Sequence, residues 1–396
     1  MIADVLVIGA GPAGSATALD LARRGVGVVL VDRARFPRPK PCGDYLNPRA
    51  AAALQRLGLH DTLRTCGGRV LRGLHIVTPK GRSAEVSFPG TPGMAIERAH
   101  LDALLVRAAA GAGAILLEEH VVGAVEREGS GWTVRAAWRG RGVTLRADIL
   151  VGADGFHGRC AHWLGLAGRS APTHVSPRFS IGGYFEGVDG AGDLEEMHLG
   201  DGVYCGVSPL DGAANITMAL PAAALRAQGP DRAFWTGVRR LPGLAPRLER
   251  ARVPGALRAT GPLRPYRRMP AAPRAALVGD AAGFLEPLTG QGVSLALLSA
   301  ARAAEAIAAS LGRGTPDDLS AYARWRISLA AAHAGASAVR ALALHGAARG
   351  ILVPMLGGSR PLATALLGLI GGIDGEDSGK PGPRVPHTSH AGAPRC

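Results

Sequence analysis

Residues 279–292 read GDAAGFLEPLTGQG, and far upstream residues 9–14 read GAGPAG. Either glycine-rich stretch alone says only that backbone must come close to something. The pair says more, because each follows a short apolar run and leads into a helix-forming run, so one cofactor is expected to be held by both ends of a long chain. Around the first stretch, residues 5–8 are continuously apolar, as in a strand buried on both faces. Residues 15–24 then carry an alanine and leucine helix face, Gly25 ends it, and residues 28–31 form a second apolar strand closing on Asp32. An acid about 20 residues beyond the glycines completes a dinucleotide-binding strand–helix–strand unit. Gly9 permits the tight turn, Gly11 lets backbone approach a pyrophosphate, and Gly14 lets helix and strand pack closely. Pro12 and Ala13 open the helix, whose free N–H groups and dipole hold phosphate. Asp32 can accept from both hydroxyls of an adenosine ribose and would repel a 2′-phosphate, which disfavours NADP here. This unit does not separate FAD from NAD.

With 396 residues the chain can bury a large core in two or three domains. The net charge of +14 does not indicate a nucleic-acid binder: only Lys40, Lys80 and Lys380 are lysines, the arginines are scattered, and aromatic residues for base stacking are few. A weak attraction to anionic membranes or acidic partners is compatible with it. Five cysteines (Cys42, Cys66, Cys160, Cys205, Cys396) form no CxxC pair and no metal-like spacing, so no metal site is expected. The odd count suggests a reducing compartment rather than a disulfide framework. The opening IADVLVIGAG lacks the basic segment and cleavage site of a signal peptide, and no uninterrupted apolar run of spanning length is read, so a cytoplasmic location without a transmembrane segment is expected.

Residues 101–112 read as a helix with Arg98 just before it. Strands are expected at 114–117, 121–127, 132–138 and 143–146, punctuated by glycine turns into a meander. Another buried strand, 149–151, runs into Gly152-Ala153-Asp154-Gly155, and a third, 275–278, runs into the late glycine stretch, with a helix starting near Gly292.

With these motifs in this order, the chain resembles the FAD-dependent aromatic-hydroxylase and geranylgeranyl-reductase superfamily, which also includes flavin halogenases. The resemblance spans roughly residues 3–310 and rests on GAGPAG with Asp32, PRPKPCGD at 37–44, Arg98, GADG at 152–155 and GDAAGFLEPLTGQG. It implies FAD as cofactor and NAD(P)H as reductant. It implies that Asp280 binds the ribityl chain and that Pro287, Gly290, Gln291, Gly292 and Val293 pass beside the isoalloxazine ring. A helix N-terminus at that point would present N–H groups to the ring edge that becomes anionic on reduction. Glycine is needed there because a Cβ would meet the ring plane. Cys42 and Gly43 are implied near the flavin, Arg33, Arg98 and Val122 elsewhere along the cofactor, and Asp154-Gly155 in a motif serving both FAD and NAD(P)H. His157-Gly158-Arg159 stands where the family's Ser and Arg follow that motif, which argues against tight direct use of NADPH.

PRPKPCGD and Gly283 pull toward the reductase-like branch. Reductases of that branch carry bulky aromatics in a substrate-domain strand. In the corresponding VYCGVSP, residues 203–209, Tyr204 and Pro209 fit, but Gly206 and Ser208 stand where the aromatics would be. No halogenase Trp-x-Trp-x-Ile-Pro string occurs.

The resulting expectation is an α/β fold: a doubly wound, glutathione-reductase-like Rossmann FAD domain (1–66, 96–165 and 268–310) and an inserted antiparallel β-sheet substrate domain (67–95 and 166–267). A helical C-terminal cap (311–373) and a disordered tail (374–396) complete it. Residues 317–344 read as one long helix, and 350–373 as an apolar segment broken by Pro354, Gly357-Gly358 and Pro361. That cap is either packed on the domain or lies at a membrane. The expected function is FAD-dependent oxidation, by hydroxylation, of an apolar polyketide- or terpenoid-like small molecule. The alternatives are reduction of prenyl double bonds and electron transfer to quinone or ferredoxin, with a redox partner protein. Tyr184, Tyr204 and Met218 are candidates for the substrate pocket. No acid–base residue stands out: His100, His157, His162, His174 and His198 are scattered, and the flavin would carry the chemistry.

Overall fold

The computed structural model describes residues 1–168, 177–285 and 287–371. His174 and the expected tail 374–396 lie outside the described residues. The continuous apolar runs form a parallel sheet in the order Ala275–Leu277, Arg141–Gly152, Ile2–Ile8, Val28–Val31, Ile115–Leu117. They lack polar alternation because both faces are covered. The helices Pro12–Arg23, Arg98–Gly111 and Gly292–Gly312 pack on one face, and a meander of His120–Glu128 and Gly131–Trp138 with the Cys160–Trp163 turn packs on the other. Small residues set how closely the first face packs: a Cβ on Gly279 would lie 2.8 Å from that of Ala13.

The strands expected at 143–146 and 149–151 are one strand, Arg141–Gly152. Its first half pairs antiparallel with the meander and its second half parallel with Ile2–Ile8. Ala147-Asp148 is no turn sequence, so the chain passes straight from one pairing to the other. Arg98 is the first residue of its helix rather than preceding it. A cation in a first turn opposes the helix dipole; the buried Asp102 carboxylate one turn on offsets this, accepting from Arg98 Nε and Nη2 at 3.0 Å each.

A second sheet runs in the order Arg258–Leu263, Arg178–Glu186, Ala213–Pro221, Tyr204–Pro209, Leu194–Leu199, Gly73–Val77, Ser83–Ser87. It is antiparallel except where Leu194–Leu199 pairs parallel with Gly73–Val77, which departs from an all-antiparallel reading because those strands come from separate stretches of chain. Its outer face is closed by the helices Ala222–Gln228 and Pro230–Val238, with Phe234 buried.

The single helix expected over 317–344 is two, Ser320–Ser328 and Ala330–Leu344. Neither Pro nor Gly stands at the break, so packing decides it. The first helix is pinned to the parallel sheet, Tyr322 Oη donating to the Leu277 carbonyl at 2.5 Å, while the second turns toward the other sheet. Pro354, expected to interrupt the next segment, lies inside the helix Gly346–Gly358; the break falls at Ser359, before Arg360–Gly371. Arg349 ties this cap down through the Gly200 carbonyl (3.0 Å) and the Asp201 carboxylate. Residues 292–312 are long and apolar enough to cross a membrane, contrary to the sequence reading, yet 56% of that apolar window is buried, as in a core helix.

On the outer face of the second sheet Glu196 accepts from Arg247 Nη1 (2.5 Å) and Nη2 (2.8 Å) and contacts His198 Nε2 (2.8 Å). Burial opposes its charge, but His198 and Arg247 outweigh burial and hold the carboxyl at about 2. Its stabilising effect is therefore full above the usual pKa of 4.5 and lost as pH falls toward 2. Arg247→Met leaves that charge buried with His198 but without its guanidinium partner. Urea unfolding should show a loss of about 3 kcal/mol at neutral pH, and the gap to the parent should shrink as pH falls below about 4.5.

Candidate functional site

One cavity of about 990 Å³ runs between the two sheets and under the C-terminal helices. At one end lies the phosphate loop. Gly9 has φ +104°, and a Cβ there would sit 2.5 Å from the Ala153 carbonyl oxygen, so two strand ends touch where only glycine fits. Gly14 is packed more tightly still, its Cβ position lying 1.8 Å from the Gly9 oxygen. Gly11 caps the helix Pro12–Arg23 without any side-chain partner, leaving first-turn N–H groups for an anion. Asp32 is oriented by the backbone N–H groups of Ala10 (2.7 Å) and Ala34 (2.8 Å). Arg33 and Val122 line the cavity beside it.

Midway, Asp154 accepts from the Cys160 N–H at 2.8 Å through Oδ2, while Oδ1 is buried without a partner. Gly158 lies directly over that carboxylate, since a Cβ there would fall 2.0 Å from Asp154 Cγ. The glycine in the departing His157-Gly158-Arg159 segment is therefore required sterically. Gly155 turns the chain with φ +77°. Asp280 faces the cavity with Arg98 and Lys40. Burial raises its carboxyl, and the two cations oppose that rise. Burial, then Arg98 and Arg38, lower the Lys40 ammonium. Burial pushes the Cys42 thiol up despite a hydrogen bond with Arg98, so Cys42 is a packed thiol, not a reactive thiolate.

At the far end Gly290 has φ +62° and lies against the Tyr45 ring, where a Cβ would come within 2.6 Å. Asn47 pins this loop, donating to the Gly290 carbonyl (3.4 Å) and Ser294 Oγ (3.2 Å). The helix Gly292–Gly312 starts here, again without a side-chain cap. Pro287, Gly290, Gly292 and Val293 line the cavity; Gln291 is buried behind them. Cβ atoms on Gly43 or Gly292 would meet nothing within 4 Å, so both face open space.

The second sheet roofs this end. Period-two alternation turns Glu195, Met197 and Leu199 inward and Glu196 and His198 outward. Tyr204, as expected of a pocket residue, lines the cavity. Met218 does not: the inward positions of its strand are Thr217 and Ala219, and Met218 packs in the outer core against Gly237. Nor does Tyr184, whose hydroxyl bonds the Asp44 carboxyl behind the wall. Burial pushes that carboxyl up to about 6, against hydrogen bonds from Tyr184 and Asn215. Glu195, Tyr45 and Ser208 were not singled out as site residues from sequence. The available signal was the paired acid of LEEMHL in an alternating strand, which puts one glutamate inside.

An uncapped phosphate-loop helix, an oriented ribose-type acceptor, a buried acceptor with no partner on Asp154, and glycines open to space at the ring end fit FAD along one continuous cleft. The FAD binding domain family matches residues 2–337. A menaquinone reductase of Mycolicibacterium smegmatis is 33% identical over 320 residues, 76% of each chain. A digeranylgeranylglycerophospholipid reductase of Methanothermobacter thermautotrophicus is 28% identical over 333 residues, 78% of each. Among solved structures, a flavin-dependent brominase superposes with TM-score 0.83 at 22% identity, covering 94% of both chains. A geranylgeranyl bacteriochlorophyll reductase-like protein of Thermoplasma acidophilum gives 0.77 at 20% identity, covering 93% of this chain and 96% of that one. These structural likenesses speak for the fold.

Because a Cβ on Gly292 would meet nothing within 4 Å, Gly292→Ala should fold like the parent by circular dichroism. It should nevertheless retain FAD at least about 10-fold more weakly by flavin absorbance, since the added atoms occupy cofactor space.

Proposed function

This chain belongs to the FAD binding domain family and is an FAD-dependent oxidoreductase, and we propose that it reduces an isolated carbon–carbon double bond in a polyisoprenoid lipid. The observation that carries the reading is the ring-end extension of the cavity. Beyond Gly292 it is walled by Leu74, Ile76 and Leu199 of the second sheet and by Val353, Leu356 and Leu367 of the cap helices. Such an aliphatic lining suits a flexible hydrocarbon better than a compact aromatic ring. Menaquinone and digeranylgeranylglycerophospholipid, named for two relatives, are both lipids with polyisoprenoid chains. Hydroxylation, the first expectation from sequence, is thus the second reading.

When bound and reduced, FAD supplies the hydride equivalent. Arg98, Asp280 and Lys40 would hold polar cofactor groups, the Asn47-pinned loop would set the ring end, and the sheet and cap would keep water from the chain. The electron donor is expected to be NAD(P)H, with a redox partner protein as the alternative if NAD(P)H does not bleach the flavin. Under strict anaerobiosis, reduced protein given a geranylgeranyl lipid should return product heavier by two hydrogens, both in its isoprenoid chain. Product formation that instead requires O₂ and adds oxygen would replace this reading with hydroxylation. Val353→Trp or Leu356→Trp should spare substrates with one or two isoprene units and cost about 10-fold or more on long ones, read as kcat/KM against chain length.

Such a substrate resides in a bilayer, and the cap suits delivery from one. Leu342 lines the cavity yet is 45% exposed, marking an opening, and Ile351 (63%) and Met355 (51%) are exposed on the next helix. With a net charge of +14, the partner surface we propose is an anionic lipid bilayer. The protein should float with anionic vesicles and not with neutral ones, and the double variant Ile351→Ser/Met355→Ser should lose several-fold in vesicle binding.

A further inference from the structure

The inner roof holds a buried acid that the cofactor chemistry does not use. Glu195 is 4% exposed and lines the cavity on the strand Leu194–Leu199. Behind it, Ser208 Oγ lies 2.6 Å from Glu195 Oε2 and 2.5 Å from the Gly43 carbonyl oxygen. A serine hydroxyl has one proton, and a carbonyl can only accept. If the hydroxyl donated to an ionised Glu195, its oxygen would face the Gly43 oxygen at 2.5 Å with no hydrogen between them. Both contacts are satisfied together only when Glu195 carries a proton, donates it to Ser208 Oγ, and Ser208 donates onward to Gly43. The surroundings agree. Burial raises the carboxyl well above its ordinary range, and Ser208 lowers it only in part. The charged groups acting on it, Glu196 on its own strand and Asp44 in the loop ahead of Tyr45, are both acidic. The neighbouring Tyr45 hydroxyl is itself held neutral by burial.

Gly206 leaves this acid uncovered. A Cβ there would lie 3.5 Å from Glu195 Oε1, so any larger side chain would spread over the carboxyl from the cavity side. Gly206 and Ser208, which stand where the reductase-like branch has bulky aromatics, therefore do two linked jobs: one exposes the carboxyl, and the other fixes its protonation.

We propose that Glu195 is the general acid of this site: its carboxyl turns about the Cγ–Cδ bond so that the proton held toward Ser208 comes to the cavity-side oxygen, and it donates that proton to one carbon of the substrate double bond while the other carbon receives the hydride equivalent. This rests on the double-bond reduction proposed above. The π pair forms the new C–H bond to the Glu195 proton, and the hydride's electron pair forms the second C–H bond at the adjacent carbon. The alkene thus gains two hydrogens and two electrons, drawn from the NAD(P)H-class donor through the cofactor. Glu195 is left as a carboxylate, the Ser208 hydroxyl rotates to donate to it, and a solvent proton restores the acid. Simultaneous hydride arrival avoids a free cation, which a weak carboxylic acid could not generate alone.

The test uses the FAD-loaded full chain, with Glu195→Gln and Glu195→Asp. Infrared spectroscopy at neutral pH, with glutamate carboxyl-labelled protein, should show a protonated carboxyl band that is absent in Glu195→Gln. In anaerobic single turnover, Glu195→Gln should slow reoxidation of the reduced flavin by a geranylgeranyl lipid, which carries no quinone, about 100-fold or more. FAD affinity and KM should stay within about twofold, and Glu195→Asp should recover part of the rate. The parent rate should be flat at low pH and fall as pH rises through the Glu195 pKa, because only the protonated form acts; in Glu195→Gln that fall disappears. A Glu195 ionised at neutral pH, or a Glu195→Gln rate within a few-fold of the parent, overturns the assignment alone. A parent that saturates no polyprenyl double bond overturns the reduction reading and this assignment with it.

Discussion

The loop at residues 42–44 has three oxygens that its own backbone cannot satisfy, and the second sheet supplies their donors. Asn215 Nδ2 donates to the Cys42 carbonyl at 2.9 Å and the Asp44 carboxylate at 2.7 Å, and Ser208 Oγ reaches the Gly43 carbonyl. Asp44 also accepts from the Arg98 N–H at 3.1 Å. A buried acceptor left bare costs about 1–3 kcal/mol, so these bonds fix the separation between the cofactor-side loop and the substrate-side sheet. The cavity between them keeps its width for that reason. The same loop sets the backbone direction that brings Tyr45 onto Gly290, so the ring end of the site and the roof above it are located by one set of hydrogen bonds.

Sequence made the cofactor half legible because its constraints are local. A backbone turn at Gly9, a helix start at Gly11 and an acid at Asp32 each need a residue type within a few positions of one strand end. The Gly279–Gly292 stretch is legible on the same ground. Elements failed to read where the deciding contact is distant. The strand at 141–152 is continuous because two different sheets use its halves. The helix after Ser320 breaks at Leu329 because Tyr322 and Arg326 are held at the parallel sheet while the following helix goes to the other one. The pocket residues illustrate phase. Alternation was visible in Ala213–Pro221, but which phase faces inward depends on the sheet's partner layers, and the inward set is Thr217 and Ala219 rather than Met218. Glu195 was hidden for a related reason, since an acid in a strand normally signals a solvated face.

Glu195 and Glu196 are adjacent in sequence and opposite in chemistry. Glu196 meets a guanidinium fork and a histidine and stays charged. Glu195 meets a hydroxyl whose only proton is already committed to a carbonyl. Burial acts against charge at both positions; it prevails at Glu195, and at Glu196 the histidine and guanidinium outweigh it. The pleat delivers this separation without any special sequence, because consecutive side chains leave the strand on opposite faces.

That arrangement also gives a physical reason for small residues at 206 and 208. Bulky aromatics on this strand would bury hydrocarbon substrate well, yet they would cover Glu195 Oε1 and leave the Gly43 carbonyl without a hydroxyl donor. Giving up apolar area beside an uncovered acid weakens the grip on any one segment of a chain substrate, by about 25 cal/mol for each Å² of hydrocarbon left unburied. A long polyisoprenoid can make up that area farther along the aliphatic lining under the cap, whereas a compact substrate cannot. On the proposed reduction, the small residues at the roof and the apolar extension beyond Gly292 would belong to one design: recognition moved away from the reacting bond, with the space beside that bond left to the groups that move protons.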